Sequence, residues 1–292
     1  MARLEAACDV DRFDGEGAMP HRELLARIPG KQALVSTVTE AVDRAVIDAA
    51  TDLRVIANVG VGYNNIDVAA ARARGIVVTN TPDVLTDATA DFTMALILAI
   101  TRRLGEGERM VRRGEWKGWA LDQLLGMQLG GRQLGIVGLG RIGRAVAVRA
   151  AAFGMTVAHT ARSGGIPLDR LLSESDVVSL HVPLTADTRH LIGQPELARM
   201  KRTAYLVNTT RGPVVDEAAL AWALKNHLIA GAALDVYERE PEIHAELLTM
   251  DNVVLAPHLG SATMETRTAM ADLAARNAIA VVTGQPPLTP VP

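Results

Sequence analysis

Short apolar runs rich in β-branched residues recur along the chain, each parted from the next by a stretch of helical period. The runs are ALVST (33–37), RVIANV (54–59), GIVVTN (75–80), QLGIVGLG (133–140), MTVAHT (155–160), DVVSLHV (176–182), AYLVNT (204–209) and NVVLAP (252–257). Each is nearly continuous in hydrophobicity and bounded by Gly, Pro or polar turn residues, the pattern of a strand buried on both faces of a parallel sheet. Helical patterns occupy residues 43–50, 67–74, 142–153, 167–174, 216–226 and 263–282. Strand and helix in alternation make βαβ units, so the chain is expected to be α/β, with doubly wound parallel sheets. No internal repeat of solenoid period is visible.

The 292 residues leave room for one large domain or two of moderate size. Aromatic residues are only 3%, so Ala, Val, Leu and Ile must build the core. Cys8 is the single cysteine, and no disulfide can form within the chain. Lys+Arg number 30 against Asp+Glu 33, so no basic field draws a phosphate backbone and no nucleic-acid partner is expected. The longest apolar stretch, residues 92–100, falls far short of the ~20 residues that span a bilayer. The start, MARLEAACDV, has no basic-then-apolar signal region. The expectation is a soluble, cytoplasmic protein with no membrane partner.

Residues 87–104 (DATADFTMALILAITRRL) form a helix pattern apolar over most of its circumference, as in a helix buried between layers or domains. It is expected to connect an N-terminal α/β domain to a second one starting near residue 82. Trp116 and Trp119, in GEWKGW, sit among Gly, Glu and Lys and read as surface residues. Trp is enriched at interfaces, so both an interface anchor and packing on their own domain remain open. At the N-terminus, MARLEAA reads as the end of a helix that runs into a strand at 9–13. In a doubly wound sheet of order 2-1-3-4-5 the first strand is central. The expectation is that this strand is absent, which would expose the edges of its neighbours.

The strongest local signal is Gly138-Leu139-Gly140-Arg141-Ile142-Gly143. It follows the strand pattern LGIV and opens the helix pattern RIGRAVAVRAAAFG, the setting that a dinucleotide-binding G-x-G-x-x-G requires. Gly138 permits the tight turn, Gly140 lets the backbone approach a pyrophosphate, and Gly143 allows close helix–strand packing. The anion then rests on the N–H groups at the helix N-terminus. An NAD site places an acidic residue roughly 20 residues further on to hold the ribose 2′-hydroxyl. Here the next strand leads into Ala161-Arg162-Ser163, with no carboxylate before Asp169. An Arg pairs bidentately with a 2′-phosphate and a Ser adds a hydrogen bond, so NADPH is favoured over NADH. The alternative is that Arg162 merely stacks over adenine.

Three charged residues follow strand or strand-like runs, at the edge where α/β proteins bind ligands: Arg211 in NTTRGPVVDE, Glu240 in LDVYEREP and His258 in APHLGSAT. With VGYNNID, GLGRIGRAVA and HVPLTADTRHLI, these motifs resemble, in order and over about residues 30–284, those of the D-isomer-specific 2-hydroxyacid dehydrogenase family. DATAD (87–91), RRGEWKGW and ARS resemble the glyoxylate/hydroxypyruvate reductases within it.

The resemblance implies two domains flanking a cleft: a flavodoxin-like substrate domain (residues 1–82 and 266–292) and a Rossmann nucleotide domain (83–265). It implies hydride transfer from NADPH to a small 2-keto acid, glyoxylate or hydroxypyruvate, giving the 2-hydroxy acid. Arg211 would bind and polarise the substrate, whose carboxylate meets backbone N–H groups of Val59-Gly60-Val61-Gly62. His258 would give the proton, and Glu240 would fix its tautomer and favour the protonated ring. Asp235 would accept from the nicotinamide carboxamide, and Ser261 would touch substrate or His258. By the same resemblance His181, Val182, Pro183, Thr188, Thr209, Thr210 and Gly260 line the cofactor site with Arg211 and His258. A homodimer through the nucleotide domain is implied, with residues 116–128 near the partner. No metal is expected, His244 being more simply a loop residue. The alternatives are an NADH-linked dehydrogenase of D-lactate or 3-phosphoglycerate type, and a dinucleotide-sensing corepressor. The absence of a regulatory extension after PPLTPVP argues against phosphoglycerate.

Overall fold

The computed structural model describes residues 2–292, and the chain forms two compact units, residues 1–85 with 263–292 and residues 86–262. The sequence places the divisions at 82/83 and 265/266.

The first unit opens with α1 (Ala2–Glu5), α2 (His21–Arg27), β1 (Ala33–Thr37), α3 (Arg44–Ala49), β2 (Val55–Val59), α4 (Val68–Ala73) and β3 (Val77–Thr79). The second contains α5 (Thr86–Thr101), α6 (Leu104–Arg112), β4 (Gln133–Val137), α7 (Arg141–Ala152), β5 (Thr156–Ala161) and β6 (Gly164–Gly165). It continues through α8 (Leu168–Glu174), β7 (Val177–Leu180), α9 (Gln194–Arg199), β8 (Tyr205–Asn208), α10 (Glu217–Lys225), β9 (Gly231–Leu234) and β10 (Val253–Leu255). The chain then returns to the first unit as α11 (Met264–Val282).

In the first unit β1, β2 and β3 are parallel neighbours, with Ala33 opposite Val55 and Val55 opposite Val77. The central strand β2 is buried from Val55 to Asn58 because both its faces are covered. Ile56 packs with Leu24, Ile28, Val46, Ile47 and Ile66, while Val55 and Ala57 meet Ala274, Ala278 and Val281 of α11. Asp43 and Asp67 start α3 and α4 by accepting from the N–H groups of Val46 and Ala70, each worth about 1 kcal/mol. The tail lies along β3. The Val291 N–H donates to Val78 O and the Asn80 N–H to Thr289 O. Buried Asn277 takes the N–H groups of Leu288 and Thr289 on its Oδ1.

The expected strand at 9–13 does not form. Ala2–Glu5 is helical and residues 9–14 are irregular. A strand needs a ladder partner for its N–H and C=O groups, and none of the described strands lies beside this segment.

The second unit is a seven-stranded sheet of order β10-β9-β8-β7-β4-β5-β6, parallel except for the two-residue β6. From β4 the chain moves outward to β5, then returns to the other side of β4 as β7. This reversal makes a topological switch point between β4 and β7, where such sheets bind ligands. The apolar helix expected over 87–104 is interrupted: α5 ends at Thr101, Arg103 takes a left-handed φ of +51°, and α6 follows. Helix α5 is not a linker. Ala90, Met94, Ile97 and Ile100 pack with Leu134, Ile136 and Val207 of the second unit's own sheet. Trp116 and Trp119 are exposed, at 54% and 81%.

Candidate active site

The glycine motif sits at the switch point. Gly138 follows β4 with φ +97°, and a side chain there would meet His181 O at 2.7 Å. A Cβ on Gly143 would stand 2.3 Å from Gly138 O, so the close approach of α7 to β4 demands glycine at both positions. Gly140 forms the N-cap of α7 in an extended conformation, makes no side-chain cap, and has open space where a Cβ would go. The first N–H groups of a twelve-residue helix thus begin beside an uncrowded backbone. That donor set fits a dinucleotide pyrophosphate. Arg162 and Ser163 form the exposed turn between β5 and β6.

Across the switch point, the His181 N–H donates to Val137 O and its Nε2 pairs with Ser179 Oγ at 2.8 Å. Burial pushes the His181 imidazole down to about 4, so the ring is neutral at pH 7. The unfolded chain takes up this proton first as pH falls below about 6.5, so stability is full above that value and declines toward about 4. The decline from this group amounts to a few kcal/mol. Melting temperatures measured from neutral pH downward are expected to fall more steeply for the natural chain than for His181→Asn. Equal slopes would mean that the ring is not held neutral. The loop beyond is fastened by Thr188, whose Oγ1 donates to Pro183 O at 2.6 Å, and by the Thr210 hydroxyl on Val182 O.

The three charged candidates come together in this unit. Glu240 Oε2 meets His258 Nδ1 at 2.9 Å, and Glu240 Oε1 accepts from the Tyr237 N–H at 3.1 Å. Burial pushes the Glu240 carboxyl up, but the bond and charge of His258, the Tyr237 N–H and the Arg211 charge outweigh it and hold the carboxyl low. Burial pushes Arg211 down, and the Glu240 charge pulls it back up. Gly212 makes this arrangement possible. A Cβ there would lie 1.8 Å from Tyr237 C and O, so only glycine lets the Arg211 turn press against the chain that carries Glu240. Asn208, at the end of β8, fixes the same turn: its Nδ2 donates to Arg211 O and its Oδ1 accepts from the Thr210 N–H. Thr209 is tied to α5 through Thr93 Oγ1 at 3.0 Å.

His258 has φ +54°, a left-handed backbone that costs a β-substituted residue energy and needs fixing by its surroundings. Asp235 does so. It is 1% exposed, and its carboxylate accepts from the N–H groups of Leu259 (2.6 Å) and Gly260 (2.8 Å), while its carbonyl accepts from the His258 N–H. Both carboxylate oxygens therefore serve the loop of His258. Ser261, half-buried, follows directly. Sequence reasoning missed Glu217. Buried at the start of α10, it accepts from the backbone N–H groups of Glu238 and His244 and so staples the loop carrying Glu240. Its one local signal is a carboxylate placed just after the cap Asp216 on a largely apolar helix. The Val59–Gly62 run lies in the first unit and begins on the last residue of β2. Among the described residues no His/Cys/Asp/Glu cluster could hold a metal ion, and no helix is long and apolar enough to cross a membrane.

Residues 94–260 match the model of the D-isomer specific 2-hydroxyacid dehydrogenase, NAD binding domain. The chain belongs to that family. A glyoxylate reductase of Korarchaeum cryptofilum is 49% identical over 98% of this dehydrogenase and 90% of its own length. A Thermus thermophilus protein of solved structure superposes with TM-score 0.94 at 47% identity, covering 100% of this chain and 96% of its own. The NADPH-dependent glyoxylate/hydroxypyruvate reductase of Sinorhizobium meliloti, solved with NADP and malonate, superposes with TM-score 0.83 at 39% identity, covering 91% and 87%. The dehydrogenase is thus an oxidoreductase that uses a nicotinamide dinucleotide and interconverts a 2-keto and a 2-hydroxy acid, and its fold is of two Rossmann-like α/β domains.

Proposed function

We propose that the chain is an NADPH-dependent reductase of glyoxylate and hydroxypyruvate. The observation that carries this reading is the Glu240–His258 pair at 2.9 Å, with the Arg211 charge acting on the same carboxylate. When bound, the reduced nicotinamide supplies the hydride. The planar guanidinium of Arg211 binds the keto acid and draws electron density from its carbonyl. The substrate carboxylate rests on backbone N–H groups of the Val59–Gly62 run, and Ser261 assists beside His258. With Nδ1 committed to Glu240, His258 delivers the proton from Nε2 to the carbonyl oxygen. In the reverse direction the same nitrogen takes the hydroxyl proton. The first unit is the substrate domain and the second the nucleotide domain in this reading. The exposed apolar side chains of Trp119, Leu121 and Leu125 support pairing with a second copy through residues 116–128.

The exposed Arg162–Ser163 turn, with no carboxylate before Asp169, supports the choice of NADPH. Hydrogen bonds to a charged group are worth roughly 1.5–3 kcal/mol. Arg162→Ala should therefore lower kcat/KM for NADPH by about tenfold or more and leave that for NADH nearly unchanged. Cofactor oxidation is to be followed with glyoxylate, hydroxypyruvate, pyruvate and 3-phosphohydroxypyruvate. Turnover of the first two, with NADPH preferred, is expected. Faster turnover with NADH would reject the cofactor assignment, and cofactor binding without turnover of any keto acid would reject the enzyme reading.

A further inference from the structure

In the first unit, the loop after β2 is held by its carbonyl groups. Gly60 O accepts from Asn58 Nδ2 (3.2 Å) and from the Thr81 N–H (3.0 Å). Val61 O accepts from Asn80 Nδ2 at 2.8 Å, and Gly62 O accepts from Asn58 Nδ2 at 3.0 Å. Three successive carbonyls are therefore drawn toward two asparagine side chains. In a planar trans peptide the N–H points opposite to the C=O of the same unit. Pinning these carbonyls fixes the N–H groups of Val61, Gly62 and Tyr63, each pointing away from the asparagine that holds its peptide unit. Successive N–H groups turned one way form an anion-binding concavity.

Asn58 is an expensive way to hold a loop unless its donors are needed. It is 0% exposed, and its Oδ1 makes no hydrogen bond. Ser36, opposite it on β1, is likewise buried with an unpaired Oγ. A buried amide oxygen without a partner is costly. Only the Nδ2 end has work to do, and that work is on Gly60 and Gly62.

We propose that Asn58 and Asn80 are positioning residues for substrate binding: they fix the Gly60–Gly62 loop in the one peptide orientation that offers its N–H groups to a carboxylate. This rests on the reading that the loop takes the substrate carboxylate. Neither side chain touches substrate. Each acts through the peptide groups it holds.

The test compares Asn58→Asp, Asn80→Ala and Gly60→Ala in the full chain. Asn58→Asp keeps the shape but replaces the donor by an acceptor that repels Gly60 O and Gly62 O. Asn80→Ala, at a half-buried position, carries the same prediction should the first variant fail to fold. Gly60→Ala displaces the loop directly, because its Cβ would lie 2.5 Å from Val38 Cγ1. The readouts are KM for glyoxylate, kcat at saturation, and the dissociation constant of the reduced cofactor. All three variants are expected to raise KM about tenfold or more, with kcat and cofactor affinity changing less than about twofold. A raised KM in Gly60→Ala alone would overturn the role of the asparagines and leave the loop's role standing. An unchanged KM in all three would overturn both. Loss of cofactor affinity in step with KM would make the asparagines general fold residues and also overturn the proposal.

Discussion

Replacing His258 with alanine is expected to lower kcat for glyoxylate reduction by about 10²–10⁴-fold, the range for a positioned general acid. The cofactor should bind the variant with nearly its usual affinity. The fold leaves few substitutes. His258 is aimed by a 2.9 Å bond to Glu240 and by three backbone N–H groups, at residues 258–260, that end on Asp235. Among the described residues no second histidine shares that set of bonds. Near-normal turnover of His258→Ala would show that the proton comes from elsewhere. A collapse of cofactor binding to match the kinetic loss would show that the loop, not the imidazole, had been damaged.

The second large effect belongs to a residue with no functional group. Gly212→Ala should reduce kcat/KM by about 10²-fold or more, since misplacing a catalytic group by an ångström is enough for a loss of that order. The added methyl would stand 1.8 Å from Tyr237 C and O and 2.4 Å from Glu238 N. Those are backbone atoms, held in turn by Glu217 through the Glu238 and His244 N–H groups. They cannot swing aside as the end of a long side chain could. The Arg211 turn and the Glu240 loop must separate, and the charge on Arg211 then leaves the neighbourhood of the Glu240–His258 pair. Steady-state kinetics with a parallel thermal melt decide the matter: a folded protein with wild-type kcat/KM would mean that the closeness of these two turns is not needed for catalysis.

The strands that the sequence announced are those with β-branched runs, and the helical patterns starting at residues 43, 67 and 216 fall on α3, α4 and α10. Strand β9 escaped notice because GAAL has no β-branched residue. It is a strand because β8 and β10 flank it and the core packs against it, tertiary context overriding weak propensity. Helices α2 and α9 also escaped notice. The supposed strand at 9–13 had the right local composition and no partner. That Arg211, Glu240 and His258 would meet was legible because each follows a strand or strand-like run. Glu217 and Asn208 were not, since what they hold is backbone, and backbone leaves no mark in the sequence of its partner. Asp235 likewise has a task that one dimension does not display, fastening the N–H groups of residues 259 and 260.

The segment after α11 has a protective consequence for β3. An uncovered outer strand offers a row of open amide and carbonyl groups to which another chain could add. Here residues 289–291 occupy that row, bridging Thr79 to Pro290 in antiparallel sense. Pro290 brings no N–H of its own, so the covering segment is a poor template for the next strand in line. The small sheet is thereby closed to lengthening by a foreign peptide on this side.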